Sequence, residues 1–522
     1  MGMVACEQRI ASAYVICFGG HGDVTRRARE WDVSRQRLYR DHAAAVAALT
    51  GAAWRQAKEP LQRRLRELEE RCAALEERLR QAVVLDRDKQ QEFAGVAQAV
   101  GVSLPTCRAL LEVLLGRRAP QVSTLGRWTK ALGAKAGALL AVADAFTAGR
   151  VGQAVADEIY TKKPVLMVVE PESLCWVSGR LVAGAGGAAW AEELGRLPNL
   201  QQVTRDAGKG LGKGVAEVNA RRAAAGQAPV ADQLDHFHTL REGGRAVRHA
   251  ERRANGALTA VDRAEAEQAR RRRDGQTTQG THNRVRAGWA RAERAVAAWQ
   301  ARDEAWRQVQ AALPLVTPAG ELNTRARAEA ALAAALPRLP DADFAKAKRL
   351  LQRPQTLTYL DEVQRQLQAL PVPAAVRDAA VRQEALRHRP ELLQGDAAAA
   401  AALRGVLLVG AVILAKAGEA GRQAVEGVRS IFRTAWRASS LVECLNSALR
   451  MQQARHRKMS QGLLDLKRLY WNTHTFRTGR RRGSSPYQRL GLPWPEGLRW
   501  GELLKWSPEQ LREKLSALED PK

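Results

Sequence analysis

The sequence predicts an α/β core preceded by helical regions and interrupted by a large all-helical insertion, and three observations carry that prediction. Between Ala154 and His238 the apolar residues run in short bursts, the pattern of buried strands, whereas elsewhere they recur at helical spacing. Within that stretch two acids, Asp157 and Asp206, fall on or just after such bursts. From Arg241 to about Val428 the strand signal stops, and Ala, Arg and Glu dominate.

Residues 1–50 open with an apolar helix from Cys6 to Gly20 and a second helix from Val24 to Trp31. The turn Asp32-Val33-Ser34 then leads into a third helix starting at Arg35. This is the spacing of a helix-turn-helix. Ser34 would cap the third helix, with Arg35, Gln36, Arg37 and Arg40 at its front, where a recognition helix meets base edges and phosphates. An ordinary helical hairpin with a solvated basic face fits the same spacing. Residues 51–89 carry Leu61, Leu65, Leu68, Cys72, Leu75 and Leu79 at spacings of 4, 3, 4, 3 and 4, with Pro60 in front. Such a seam serves either a homodimer or a neighbouring helix of the same chain. Residues 90–150 repeat the arrangement: a helix from Gln90 to Val100, the turn Gly101-Val102-Ser103, and a helix from Leu104 to Leu115. Two further helices are expected between Ser123 and Phe146. Here Thr106 and Arg108 are the polar residues at the front, so a structural role and a second DNA-binding role both fit.

Residues 151–240 form the first part of the core. Strands are expected at Val151 to Tyr160, Pro164 to Val169 and Leu174 to Leu181, then a helix from Gly187 to Leu197. A fourth strand from Leu200 to Thr204 stops at Asp206, and a helix from Val215 to Arg222 precedes a fifth strand from Ala231 to His238. Three antiparallel strands followed by strands reached through helical crossovers make a ribonuclease-H-like sheet, in which an acid on the first strand lies beside one just after the fourth. Asp157 and Asp206 occupy those places. The run Gly208 to Gly214 fails as a phosphate loop, because its interval is one residue short and Gly214 stands where Ser or Thr is needed. It reads instead as a mobile turn, either plain or bringing Lys209 and Lys213 to a DNA phosphate. On the fifth strand, Asp235 and Phe237 would face one way and His236 and His238 the other.

Residues 241–430 are the all-helical insertion, with an arginine run at Arg270 to Arg273, a loop at Asp274 to Asn283, and Pro-containing breaks near Leu313 to Pro318 and Pro371 to Pro373. The run Gly405 to Ala415 is read as a buried helix, too short to span a bilayer, which needs about 20 residues. Residues 431–500 complete the core, and residues 501–522 form a tail. Ile431 to Arg455 reads as one amphipathic helix, with Val442, Leu445 and Leu449 on its apolar stripe. Trp436, Ser440, Glu443, Asn446 and Arg450 lie on the adjoining polar one.

With 522 residues and 45% hydrophobic content the chain can build several cores, and a net charge of +28 calls for a polyanionic partner. Six scattered cysteines without a CxxC pair exclude a zinc cluster and a disulfide framework and suit the cytoplasm.

Asp157, Asp206 followed by its glycine turn, the Asp235-x-Phe-His238 segment and SSLVECLNSALR with Glu443 and Asn446 resemble, in this order, the DDE transposases of bacterial insertion sequences. The C-terminal YWN, FRTGRRRG and SPYQRLG are similar to the end of such proteins, so the resemblance runs from about Ala154 to Gly491. The chain departs from the pattern in its doubled acid Asp157-Glu158 and in the glycine run after Asp206. The resemblance implies a DNA transposase that cuts and joins the ends of a mobile element. Two Mg²⁺ ions, or Mn²⁺ in their place, would be held by Asp157 bridging and by Asp206 and Glu443 holding one each. Hard cations take oxygen ligands, and two of them about 4 Å apart can activate an attacking water or 3′-hydroxyl and stabilise the leaving oxygen. The partner implied is double-stranded DNA, as element ends and target, with no membrane expected; a homodimer is the reading the heptad seam offers on its own. The alternatives are a ribonuclease-H-fold nuclease that only cuts and a non-catalytic DNA-binding descendant. A serine or tyrosine recombinase would need a nucleophile among arginines, and the insertion offers none in a matching arrangement.

Overall fold

A computed structural model describes residues 2–50, 52–81, 85–392, 397–439, 441, 442, 444, 445, 449 and 459–519. The chain divides into two compact units, Met1–Asp86 and Arg87–Lys522.

The first unit is helical: α1 Gly2–Phe18, α2 Asp23–Glu30, α3 Arg35–Thr50 and α4 Ala52–Gln81. Among the described residues Leu38 and Ala28 are its buried apolar ones, with α1 packed along α3. Pro60 does not open α4 but lies inside it. The helix therefore runs two turns further toward the N-terminus than the heptads indicate, with the bond that the missing Pro60 amide cannot make left out.

In the second unit α5 Arg87–Ala99, α6 Leu104–Leu115 and α7 Val122–Thr147 lead into a five-stranded sheet of β1 Gln153–Tyr160, β2 Pro164–Glu170, β3 Cys175–Leu181, β4 Gln202–Arg205 and β5 Ala231–Leu234. The two helices expected between Ser123 and Phe146 are one: α7 is continuous, and Gly133 and Gly137 within it pack closely, Gly133 against the backbone of Gly462 and Gly137 against Asp465. The strand order is β3-β2-β1-β4-β5. β1 runs antiparallel to β2 and β2 to β3, while β1–β4 and β4–β5 are parallel. Parallel neighbours need crossovers, and the segments before β4 and β5 supply them as α8 Gly187–Gly195 and α9 Lys209–Ala224. One face of the sheet, with Ala154, Ala156, Leu166 and Val168, is buried against α7, α8 and α9. The other, with Val155, Ile159, Val165 and Met167, is buried against Val442, Leu445 and Leu449.

The edge strand β3 is closed by side chains. Gln461, on the helix Gln461–Thr473, donates to the Gly179 carbonyl and accepts from the Leu181 amide. One helical stretch further on, Asn472 accepts from the Trp176 amide and donates to its carbonyl. These two amides replace a sixth strand and blunt an edge that would otherwise pair with another chain.

The insertion follows β5 as α10 His236–Arg273, α11 Gln279–Ala312, α12 Arg325–Ala335, α13 Asp341–Leu351, α14 Thr358–Gln368, α15 Ala374–Leu386, α16 Ala397–Lys416 and α17 Gly418–Arg433. It has its own core around Trp306, Phe344 and Tyr359. The apolar run of α16 corrects the expectation of a buried helix. Val406, Leu408, Val409, Val412 and Ile413 are exposed, because α15 and α17 cover one side only, where Ala400 and Leu414 are buried. At 20 residues α16 is also long and apolar enough to cross a membrane, as is the partly buried segment Val122–Arg150 that contains α7.

Candidate active site

β1 alternates, and its two acids part company. Val155 and Ile159 turn to the face covered by Val442 and Leu445, and Asp157 shares their parity. Its carboxylate is nearly buried and accepts from the Glu158 amide at 2.8 Å. Glu158 belongs to the opposite face, where it accepts from Trp190 Nε1 of α8 at 3.3 Å and from the Tyr160 hydroxyl at 3.0 Å. That hydrogen bond, with burial and the nearby charges of Glu158 and Asp206, raises the Tyr160 pKa.

Asp206 stands one residue past Arg205, the last residue of β4 and the register partner of Ala156. Asp157 and Asp206 thus each stand one residue past a paired couple, where the β1–β4 pairing ends while β1 itself continues to Tyr160. Asp206 accepts from the Gly208 amide at 2.8 Å, directly before α9. The glycine run is the beginning of α9, which corrects its reading as a mobile turn and moves the helix start from Val215 to Lys209. The physical reason is close packing. A Cβ on Gly210 would come within 1.9 Å of the Ala185 carbonyl and one on Gly214 within 2.4 Å of Trp190 Cβ. Lys209 and Lys213 are both exposed on these first turns.

The fifth strand ends at Leu234, not His238. Asp235 instead caps α10, accepting from the Phe237 amide at 2.7 Å and the His238 amide at 3.3 Å. The alternating faces expected for residues 235–238 are therefore replaced by a helix turn. Leu234 pairs with Arg205, so Asp235 follows the same row as Asp206. It is 3% exposed and also takes His238 Nδ1, the Ser439 hydroxyl at 2.6 Å and the Ser439 amide at 3.0 Å. Burial pushes the Asp235 carboxyl up, but the hydrogen bonds from His238, Ser439 and Phe237 outweigh it and hold it below the usual carboxylate range. The Asp235 partner raises the His238 pKa against burial, and the charge of Asp157 adds to the rise while Arg241 opposes it. Burial drives neighbouring His236 down to about 4, with its Nε2 held 2.7 Å from the Thr356 carbonyl.

Ser439 belongs to a segment that corrects another expectation. Ile431 to Arg455 is not one helix: α17 ends at Arg433, and residues 435–439 are non-helical. They are stitched along β4 and just past the end of β5 instead. The Trp436 carbonyl accepts from Gln202 Nε2 at 2.9 Å and Thr204 Oγ1 at 3.3 Å, and the Arg437 carbonyl accepts from the His236 amide at 2.9 Å. Beyond this stitch Leu441, Val442, Cys444, Leu445 and Leu449 are helical, with Val442, Leu445 and Leu449 buried under the sheet. Glu443, together with Ser440, Asn446 and Arg450, lies outside the described residues. Among the described residues there is no group of three or more His, Cys, Asp or Glu side chains that could hold a metal ion.

In the first unit Ser34 Oγ accepts from the Arg37 amide at 3.2 Å, and Arg35, Gln36, Arg37 and Arg40 are all exposed while Leu38 turns inward. In the second helix-turn-helix-like region Ser103 likewise caps α6, but the outer face of that helix carries exposed Leu110, Val113 and Leu114, and Arg108 is half-buried near Glu112. The C-terminal motifs hold structure together. Arg468 donates to the Trp176 and Val177 carbonyls and pairs with Asp144, and Arg481 donates to the carbonyls of Pro171 and Glu172. Arg477, Arg480 and Arg482 stay exposed.

Comparison of the chain with family models, with characterised proteins and with solved structures finds no match. The residues that sequence reasoning missed are His238 and Ser439 in their common bond to Asp235. The available signal was an Asp at the point where strand-like residues give way to helical periodicity, the place of an N-cap.

Proposed function

We propose that the chain is a DDE-type DNA transposase with a ribonuclease-H-like core, cutting and joining DNA ends by phosphoryl transfer where the pairing of β1 with β4 ends. The observation that carries the reading is the β1–β4 register that sets Asp157 level with Asp206, with the chain leading to Glu443 tied to Asp235 just past β5 and to Gln202 and Thr204 along β4. Carboxylate oxygens suit hard cations, so Asp157, Asp206 and Glu443 would hold Mg²⁺ or Mn²⁺, which when bound polarises the phosphate and the attacking oxygen. His238, held by Asp235 near Asp157, is a positioned proton carrier on the same side. Exposed Lys209 and Lys213 follow Asp206 directly and meet phosphates, and Arg35, Gln36, Arg37 and Arg40 read the major groove of the element's ends. A charge of +28 supports double-stranded DNA as the partner and DNA-associated residence in the cytoplasm.

The test uses DNA carrying the sequences that flank the gene, with Mg²⁺. Asp206→Asn and Glu443→Gln should bind it but not cut it, and near-normal cutting by either would end this assignment. Cutting without joining in the parent chain would leave a nuclease. Replacing Arg35, Gln36 and Arg37 together with Ala should remove preference for those sequences in a gel-shift titration while salt-sensitive nonspecific binding persists. Unchanged preference would move recognition elsewhere.

A further inference from the structure

The heptad seam of α4 is uncovered. Leu61, Leu65, Leu68 and Leu75 are 63, 57, 45 and 54% exposed, and Cys72 is exposed as well. Four leucines on one stripe are costly to leave in water, at about 1.5–3 kcal/mol for each side chain that could be fully buried. The 4, 3, 4, 3 spacing makes Leu65 and Cys72 a positions and Leu61, Leu68 and Leu75 d positions. The flanks then separate by charge: the g positions are Arg64, Arg71 and Arg78, and the e positions are Gln62, Glu69 and Glu76.

This separation selects the occupant. In a parallel pair each g residue faces the e residue five positions later on the other helix, which sets Arg64 against Glu69 and Arg71 against Glu76 on both flanks. In an antiparallel pair g meets g and e meets e, so arginine would face arginine and glutamate would face glutamate. We propose that α4 associates with α4 of a second copy as a parallel, in-register coiled coil, in which the two Cys72 side chains face each other across the axis. The intrahelical Arg64–Glu67 pair at 3.1 Å is exposed and gives way at little cost. Because α4 is already anchored to α3, little ordering is paid on association. A parallel coil brings both copies of α2 and α3 to the same end, the arrangement that reads two symmetric DNA half-sites. That last consequence rests on the DNA-binding reading above, whereas the pairing does not.

The test is made on the full chain without DNA. Light scattering under reducing conditions should give two copies, and Leu68→Lys with Leu75→Lys should give one. In a variant with Cys6, Cys17 and Cys444 replaced by Ser, an added thiol oxidant should remove two electrons and two protons from the facing Cys72 pair and leave a covalent dimer on a reducing-agent-free gel. Adding Cys72→Ser should abolish that band. A monomeric parent chain, or a dimer indifferent to Leu68→Lys and Leu75→Lys, would overturn the seam. In an antiparallel pair a positions meet d positions, so a dimer that fails to crosslink would overturn the parallel register. Neither outcome bears on DNA cleavage, so the pairing and the transposase reading fail separately.

Discussion

Asp206 and Asp235 stand one residue past the paired ends of neighbouring strands, in the same row, yet they are differently employed. Asp206 is part-exposed and accepts from the Gly208 amide at the mouth of α9. Asp235 is sealed, and its oxygens take two amides of its own helix, the His238 ring, and the amide and hydroxyl of Ser439. The row in the sheet places an acid near the site, and the donors around it decide whether it holds the fold or remains available to a ligand. Asp235 is a clamp between β5, α10 and the chain leading to Glu443.

Removing the clamp should have the largest effect on the fold. Asp235→Ala leaves His238 and Ser439 without their buried acceptor and should cost about 3–5 kcal/mol, the scale of breaking a buried charged network from one side. Urea unfolding followed by tryptophan fluorescence checks this, and parent-like stability would show that the clamp is dispensable. Asp206→Asn should do the reverse. Stability should stay within about 0.5 kcal/mol of the parent, while cleavage falls at least about a hundredfold. A large loss of stability with Asp206→Asn would erase the contrast between the two acids.

The pH dependence sharpens the same comparison. The folded pKa of His238 is raised, so its contribution is full below the ordinary histidine value of about 6.5 and is lost as pH rises through the raised value. Asp235 is lowered, so its contribution is present above the ordinary carboxylate value and is lost only as pH falls through the depressed one. The stability difference between the parent and His238→Asn should therefore be about 1–2 kcal/mol near pH 6 and shrink toward higher pH. A difference independent of pH would mean that His238 stays neutral beside Asp235. The smallest effect is expected at Glu158, where Gln keeps an oxygen for Trp190 and Tyr160 on the far face of β1. Glu158→Gln should leave cleavage nearly unchanged. Loss there, with survival in Asp157→Asn, would transfer the role to Glu158.

The strand bursts were legible because burying a sheet on both faces demands continuous apolar runs, as PVLMVV of β2 provides. The apolar stripe Val442, Leu445 and Leu449 was legible for the same reason, since three residues at helical spacing find a common surface under β1 to β3. The seam of α4 could be read from spacing and charge because neither depends on what else the chain does. Tertiary structure alone decided three matters. Asp235 caps a helix because the β4–β5 pairing closes on its amide, which donates to the Arg205 carbonyl, and the next amide, of His236, donates to the Arg437 carbonyl instead. Residues 435–439 leave the helix expected by periodicity because Gln202, Thr204 and His236 offer their backbone bonds elsewhere. The apolar run of α16 stays at the surface because hydrophobicity states only that burial is favourable, whereas the geometry of α15 and α17 fixes which side is covered. Local pattern determined which elements form, and the hydrogen bonds and contacts between residues far apart in sequence determined where those elements end and which face they turn inward.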